Sequence, residues 1–393
     1  MTPVLVTHPG LQHSHQLALA LHERSLLQSF WSGVPVVAEG EALPWWLPAT
    51  YRSKVRTVEI PRALRRHPAR FQLALRMSNA VNIGIPGSDM VHRVFHWFDH
   101  WAARQILQFK PKVVVAYENA AFHTFQAAKA IGARCVLDAA AFHHETAARL
   151  LGTPATPYTP EINRRKDEEI RLADLILTCS PLAAESYTAH GVPADKVRPM
   201  MLGAERPPGL RGWQAHDGPP RFVFAGALSR LKSIDSIVAA FRRLHAEGIA
   251  YDLAFVGGVA DAELLRAVLA TPHARHTPNV PQGELFSILA RADCLLLPSR
   301  FDSFGMVVAE AMACGTPAVV STNTGAKAMI EAFPGSGWIV EPGVDALHAQ
   351  LRQLAQEPER LHAARSIARQ SGDAFSWASY RHRAGELFEE FVQ

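Results

Sequence analysis

The chain has 393 residues, 48% of them apolar and 19% charged, with a net charge of +4. That is room for two domains with separate cores and the balance of an ordinary soluble α/β enzyme. No apolar run reaches the roughly 18 residues a bilayer-spanning helix needs. A basic stripe interleaved with aromatics does not recur along the chain, which argues against nucleic acid as a partner. The opening residues MTPVLVTHPG show no basic region followed by an apolar stretch, so no signal peptide is expected. Cys135, Cys179, Cys294 and Cys314 form no CxxC pair and read as reduced core residues. Both features suggest a cytoplasmic protein.

Strand-like and helix-like runs alternate throughout, which predicts doubly wound parallel sheets. In the first half, Val4–Thr7 reads as a strand, Gln16–Arg24 as a helix and Val34–Val37 as an edge strand limited by Pro35. Trp97–Phe109 reads as a helix, Val113–Ala116 as a buried strand and Phe125–Ile131 as a helix. Arg134–Asp138 and Leu175–Cys179 are further strands around a helix over Ile162–Ala173. Residues 205–221 are rich in Pro and Gly and read as the entry to a second domain. The grammar then restarts with strand Phe222–Ala225, helix Ile234–Ala246, strand Tyr251–Val256, helix Ala262–Ala270 and helix Gly283–Arg291. The last amphipathic stretch is Ser376–Val392.

Residues 51–77 hold eight Arg or Lys and one Glu. Such a run is either a solvated helix face or a contact with an anionic membrane or phosphorylated acceptor, with Trp45, Trp46 and nearby Leu and Phe as its apolar side. The second alternative makes residues 45–77 a peripheral contact at the inner face of a membrane.

The densest chemistry lies in LLLPSRFDSFGMVVAEAMACGTPAVVS, residues 295–321. A buried strand ends at Pro298, a loop carries Asp302, and a helix opened by Phe304 and Gly305 carries Glu310. In an open parallel sheet, ligands bind outside the carboxyl ends of the strands. Exposed amides at Phe304–Met306 and the positive helix end suit phosphate, and the two carboxylates suit sugar hydroxyls. The second domain also begins with FVFAGALSRLKSID, residues 222–235, where Gly226 lets backbone approach a phosphate. Lys232 and Arg230 are placed to offset diphosphate charge, although Lys232 also fits a solvated first-turn position.

Asp302 and Glu310 stand in an acid-x7-acid pattern that resembles the signature of family-4 retaining glycosyltransferases. Supporting likenesses are FAGALSRLKSID, residues 168–205 for the end of a first domain, NVPQGELFSILARAD (279–293) for a base-binding segment, and FSWASYRHRAGELFEEF for a closing helix. The resemblance implies a GT-B fold: two Rossmann-like domains facing across a cleft, over 1–204 and 205–375, with residues 376–393 crossing back as a helix. It implies transfer of a hexose from a nucleotide diphosphate sugar (UDP-, GDP- or ADP-sugar) to a glycan, a lipid-linked or another hydroxyl acceptor. Retention and independence of metal and further cofactors come with it. Carried over, Glu310 meets the ribose, while Asp302, Ser303, Phe304, Gly305 and Met306 hold donor sugar and phosphates. Lys232 steadies the leaving diphosphate, main chain over Val280–Gln282, with Pro281 between, borders the base, and Gly10 brings the first domain's loop to the diphosphate. His143 is expected near the reacting centre, with His144 as the one-residue alternative.

This chain departs from the family in carrying Asp302 for the usual Glu, Ala227 where Arg is common, and Met329 near a later acidic position. These changes bear on the donor more than on the fold. His92, His96 and His100 share a helical face that a metal or simple packing would explain. Glu118 fits an acceptor-site base or a helix cap. Two other classes remain beside the transferase: a nucleotide-sugar-binding protein without catalysis, and a GT-B epimerase. The absence of GxGxxG after the first strand argues against a nicotinamide enzyme.

Overall fold

The computed structural model describes residues 3–38, 40–43, 55–80, 87–152 and 155–393. Two wholly parallel sheets organise them. The first has seven strands, in spatial order Arg65–Arg66, Leu27–Ser32, Val4–His8, Val113–Tyr117, Arg134–Ala139, Leu175–Thr178 and Val197–Pro199. The second has six: Ala274–Thr277, Asp252–Val256, Arg221–Ala225, Cys294–Leu297, Ala318–Ser321 and Gly337–Val340. Helices cover both faces, so central strands such as Val4–His8, Val113–Tyr117 and Cys294–Leu297 are buried at every position. That is why they read in sequence as unbroken apolar runs.

In each sheet the chain starts in the middle, works outward to one edge, then returns and works outward to the other. The reversal falls between Val4–His8 and Val113–Tyr117 in the first sheet, and between Arg221–Ala225 and Cys294–Leu297 in the second. At such a point neighbouring loops diverge to opposite faces and leave a crevice at the carboxyl edge.

Most interior elements fall where the sequence predicts them; the edges differ. Val34–Val37 is not an edge strand of the main sheet. Only Val36–Val37 is extended, paired with Arg56–Thr57 in a separate ribbon. The second strand of the sheet is Leu27–Ser32, whose polar residues conceal it. The Ser29 hydroxyl donates to the Leu64 carbonyl, the Trp31 indole donates to Ser29, and the Ser32 hydroxyl donates to the Val34 carbonyl. Polar groups satisfied this way can be buried without a large penalty. The helix expected over Trp97–Phe109 is the second half of Gly87–Phe109. Trp45 and Trp46, read as the apolar side of the basic segment, lie outside the described residues. Among the described residues no helix is long and apolar enough to cross a membrane. All four cysteines are buried and unpaired, and burial pushes their thiols up.

The chain crosses between the domains twice, and the crossings touch: the Ala204 amide donates to the Phe375 carbonyl at 3.1 Å. The final helix, Trp377–Phe391, packs on Ser14–Glu23 of the first domain with Tyr380, Ala384 and Phe388 buried. Arg24 pairs with Glu389, and Arg381 with Glu23, each at 2.9 Å. Residues 205–220 form no regular element, yet Asp293 pins them. Its carboxylate accepts from the Trp213 indole at 2.6 Å and the Arg221 amide at 2.8 Å, and it bonds His216 at 2.9 Å. Asp293 is buried, and Arg365, stacked on Trp213, is held down to about 10 by burial despite that carboxylate. Asp293→Ala strands these donors and should destabilise the second domain by about 2–4 kcal/mol. Calorimetry should show its melting transition lowered while that of the first domain barely moves.

Candidate active site

A cavity of about 880 Å³ lies between the domains, against the reversal points of both sheets. Its second-domain wall includes Gly226, Lys232, Gln282, Asp302, Ser303, Phe304, Gly305, Met306 and Glu310; its first-domain wall includes Gln12, His13, His15, Gln16 and Ala140. Lys232 and Glu310, expected at opposite ends of one ligand, therefore share one chamber.

Lys232 closes a short 3₁₀ turn capped by Ser229 and followed by Ser233 in the left-handed region. Its ammonium meets the Asp302 carboxylate at 2.5 Å, with Lys232 and Asp302 side chains 24% and 14% exposed. The loop bearing Asp302 is braced from both sides. The Asp302 amide donates to the Asn323 carbonyl at 3.1 Å, and the Gly325 amide donates to the Asp302 carbonyl at 2.9 Å. Gly305 then takes φ +93°, which a residue with a Cβ rarely adopts. A Cβ there would also meet the Leu297 side chain at 2.8 Å. From that turn the helix Met306–Ala313 starts, its first N–H groups opening on the cavity. Glu310 follows one turn later, where the Gln282 amide donates to it at 3.2 Å.

In the first domain, the loop after Val4–His8 is tightened by the Gly10 amide, which donates to His8 Nδ1 at 2.7 Å. Burial holds the His8 imidazole down at about 3, so it stays neutral and accepts. Gly10 thus shapes the loop from behind the wall, and Gln12 and His13 form the wall. Buried His13 bonds Asp138 through Nε2 at 2.9 Å, from the end of strand Arg134–Ala139.

The walls meet at Ser303. The Ser180 hydroxyl donates to the Ser303 carbonyl at 2.6 Å, and the Ser303 hydroxyl donates to the Ala140 carbonyl at 3.1 Å. Phe142 packs on Phe301 nearby, ring centroids 4.3 Å apart. A Cβ on Gly325 would sit 2.1 Å from the Ser303 carbonyl oxygen and 2.5 Å from the Ser180 hydroxyl.

Besides Gly10, four expected residues stand apart from the wall. Arg230 points outward to Asp235, Asp261 and Glu263, three carboxylates that draw it off. Val280 and Pro281 precede Gln282 at the rim. His143 is turned away because the chain bends at Ala140–Phe142 to bury Phe142. His143 then caps helix His144–Leu151 and stacks on His190 at 4.3 Å, where burial lowers it to about 4. His144 bonds Asp167 at 2.6 Å instead of facing the cavity. Glu118 caps nothing and pairs with Lys166 at 2.7 Å. His96 bonds Tyr158, and His100 stacks on His123 at 3.8 Å. Among the described residues the one metal-capable grouping is His143, His144 and Asp167, outside the cavity wall. Sequence reasoning missed Ser180 and Asp138, and it expected only the main chain of Gln282, not its side chain, at the site. Asp138 alone carried a signal, as an acid at a strand's carboxyl end.

Two doubly wound domains gripping a shared cavity define the GT-B class, and comparison with solved structures agrees. The fold matches sucrose-phosphate synthase from Thermosynechococcus elongatus with TM-score 0.68 and 16% identity, over 100% of this chain and 99% of that one. It matches Anabaena HepE, solved with UDP and glucose, with TM-score 0.67 and 13% identity over 99% and 100%. Residues 210–371 match the family of group 1 glycosyl transferases. A D-inositol 3-phosphate glycosyltransferase from Catenulispora acidiphila is 33% identical over 57% of this chain and 59% of its own length. Glycogen synthase from Mycobacterium tuberculosis is 25% identical over 63% and 61%. The chain thus aligns with less than two thirds of these curated relatives.

Gly325→Ala should wedge the Ser303 contact open. The expected result is an increased radius of gyration by small-angle scattering, with folding of each domain retained.

Proposed function

We propose that this chain is a glycosyltransferase that moves a hexose from a nucleotide diphosphate sugar to an acceptor hydroxyl. The observation that carries the reading is the single cavity holding Glu310, Asp302, Lys232 and a helix amino terminus on one wall. A nucleotide sugar has the matching sequence of groups: ribose hydroxyls for Glu310, a diphosphate for the amides at Gly305–Met306 and for Lys232, and a sugar beside Asp302. Related proteins, one solved with UDP and glucose, point the same way.

In this reading Lys232 leaves its ion pair with Asp302 when the diphosphate enters. That frees the carboxylate to accept from a sugar hydroxyl, and the ammonium then offsets charge on the departing phosphate. Asp302 stands where the family has Glu, and the shorter arm matches a position already within reach of Lys232. Gln12, His13, His15, Gln16 and Thr57 offer polar groups for the acceptor, a glycan or lipid-linked saccharide. Closure of the walls brings the acceptor hydroxyl to the anomeric carbon and excludes water. We read the transfer as retaining and metal-independent: likeness to the group 1 family supports the former, and the positive charge already facing the diphosphate supports the latter.

A thermal-shift panel of UDP-, GDP- and ADP-sugars tests this. One nucleotide class should raise the melting temperature, and Glu310→Ala should abolish the rise. A flat response to every nucleotide sugar would sink the reading. Once the donor is known, Lys232→Ala should cut kcat roughly 10²–10³-fold in steady-state assays. An unchanged kcat would remove Lys232 from leaving-group stabilisation.

A further inference from the structure

Between Glu59 and Asp89 the sequence carries five arginines and no carboxylate. The structure gives that stretch a shape. Helix Ala69–Ala80 lies against Gly87–Phe109 and buries Phe71 among Trp97, Phe98 and Trp101. Its outer face presents Arg70, Leu73 and Met77, spaced as one helical stripe. The neighbouring helix presents Arg93, Trp97 and Arg104 in a second stripe, with Leu107 beyond. Leu73 is 59% exposed, Met77 56%, Leu107 49% and Trp97 44%. The Arg70 guanidinium sits 5.6 Å from the Trp97 ring, and that of Arg66 lies 4.2 Å from the Phe109 ring.

Single exposed apolar side chains are ordinary, but a run of them rimmed by cations on adjoining helices needs a partner. We propose that this flank of the first domain docks on an anionic lipid surface. Leucine, methionine and tryptophan enter the headgroup boundary, and the arginines pair with lipid phosphates. Tryptophan, with its apolar ring and polar N–H, suits that boundary. Arginine stacked on an aromatic ring keeps its charge outward while its stem covers apolar surface. Glu41 draws off Arg62 and Arg65, so the cations of the two exposed stripes are Arg70, Arg93 and Arg104. A nucleic acid would meet the arginines but leave the leucine and methionine facing phosphate. The docking rests on this surface alone, independent of the nucleotide-sugar reading. If that reading also holds, a lipid-linked acceptor is met where it resides.

The full chain should float with vesicles of phosphatidylcholine containing 30% phosphatidylglycerol. It should bind them at least about tenfold better than pure phosphatidylcholine, and raised salt should weaken the difference. Each basic residue near such a leaflet is worth about fivefold in partition, so Arg70→Glu with Arg104→Glu should erase the preference. Leu73→Ser with Met77→Ser should lower binding even at low salt. Both variants should keep the wild-type melting temperature and any nucleotide-sugar shift, which separates lost docking from lost folding or lost donor binding. Equal binding to both vesicle types, or variants that bind like wild type, would overturn the proposal. So would self-association abolished by Leu73→Ser with Met77→Ser in a chain that ignores vesicles, which would assign the face to a second copy. Preference for RNA over vesicles would overturn it as well.

Discussion

The cavity owes its shape to one contact, the hydrogen bond from the Ser180 hydroxyl to the carbonyl of Ser303. Ser303 sits inside the loop whose neighbours, Asp302 and Phe304, line the cavity, so the conformation of that loop is decided jointly by both domains. Ser180 is fully buried and also accepts the Ala183 amide as the cap of its own helix, leaving little freedom to reorient. Gly325 permits the approach because no side chain stands between. A reacting geometry that must be held within a fraction of an ångström is thereby tied to domain closure, through groups that make no chemistry themselves.

Charge in the site is arranged around that contact. Lys232 is neutralised by Asp302, so the positive wall carries less net charge than its residues suggest. Arg230, two residues earlier, is held outside by three carboxylates, and Arg300 is drawn to Asp235 at 2.5 Å. Among the described residues Lys232 is the one lysine or arginine lining the cavity, mounted on a short turn beside the helix amino terminus. On the proposed reading, a diphosphate would meet a localised positive centre instead of a diffuse basic surface, which is the condition for preorganised stabilisation of a leaving group.

Much of the fold was legible because buried parallel strands leave no room for polar residues. Cys294–Leu297, Val113–Tyr117 and Ala318–Ser321 announce themselves for that reason. Leu27–Ser32 did not, since its serines are satisfied by local carbonyls, and Ala274–Thr277 did not, since its position at the sheet edge tolerates Arg275 and His276. The second-domain wall was legible for a related reason: its residues are consecutive, so spacing alone places Asp302, Gly305 and Glu310 together. The first-domain wall was not. His13 comes to Asp138 across 125 residues of sequence. His143 was misplaced because nothing local shows that Phe142 is buried against Phe301, which turns the following residue inward to a helix cap. Arg230 looked equivalent to Lys232 until the carboxylates of Asp261 and Glu263 were seen beside it.

The helix Trp377–Phe391 has a consequence for the order of assembly. It covers Ser14–Glu23 and brings Tyr380, Ala384 and Phe388 into the core of the lobe that is synthesised first. As the polypeptide emerges from the ribosome, that lobe waits with an uncovered apolar strip until Trp377–Phe391 has been made. The other lobe lies between these two pieces and can settle on its own in the meantime. Completion of the leading half thus follows synthesis of the other lobe, and it joins both halves in the same step.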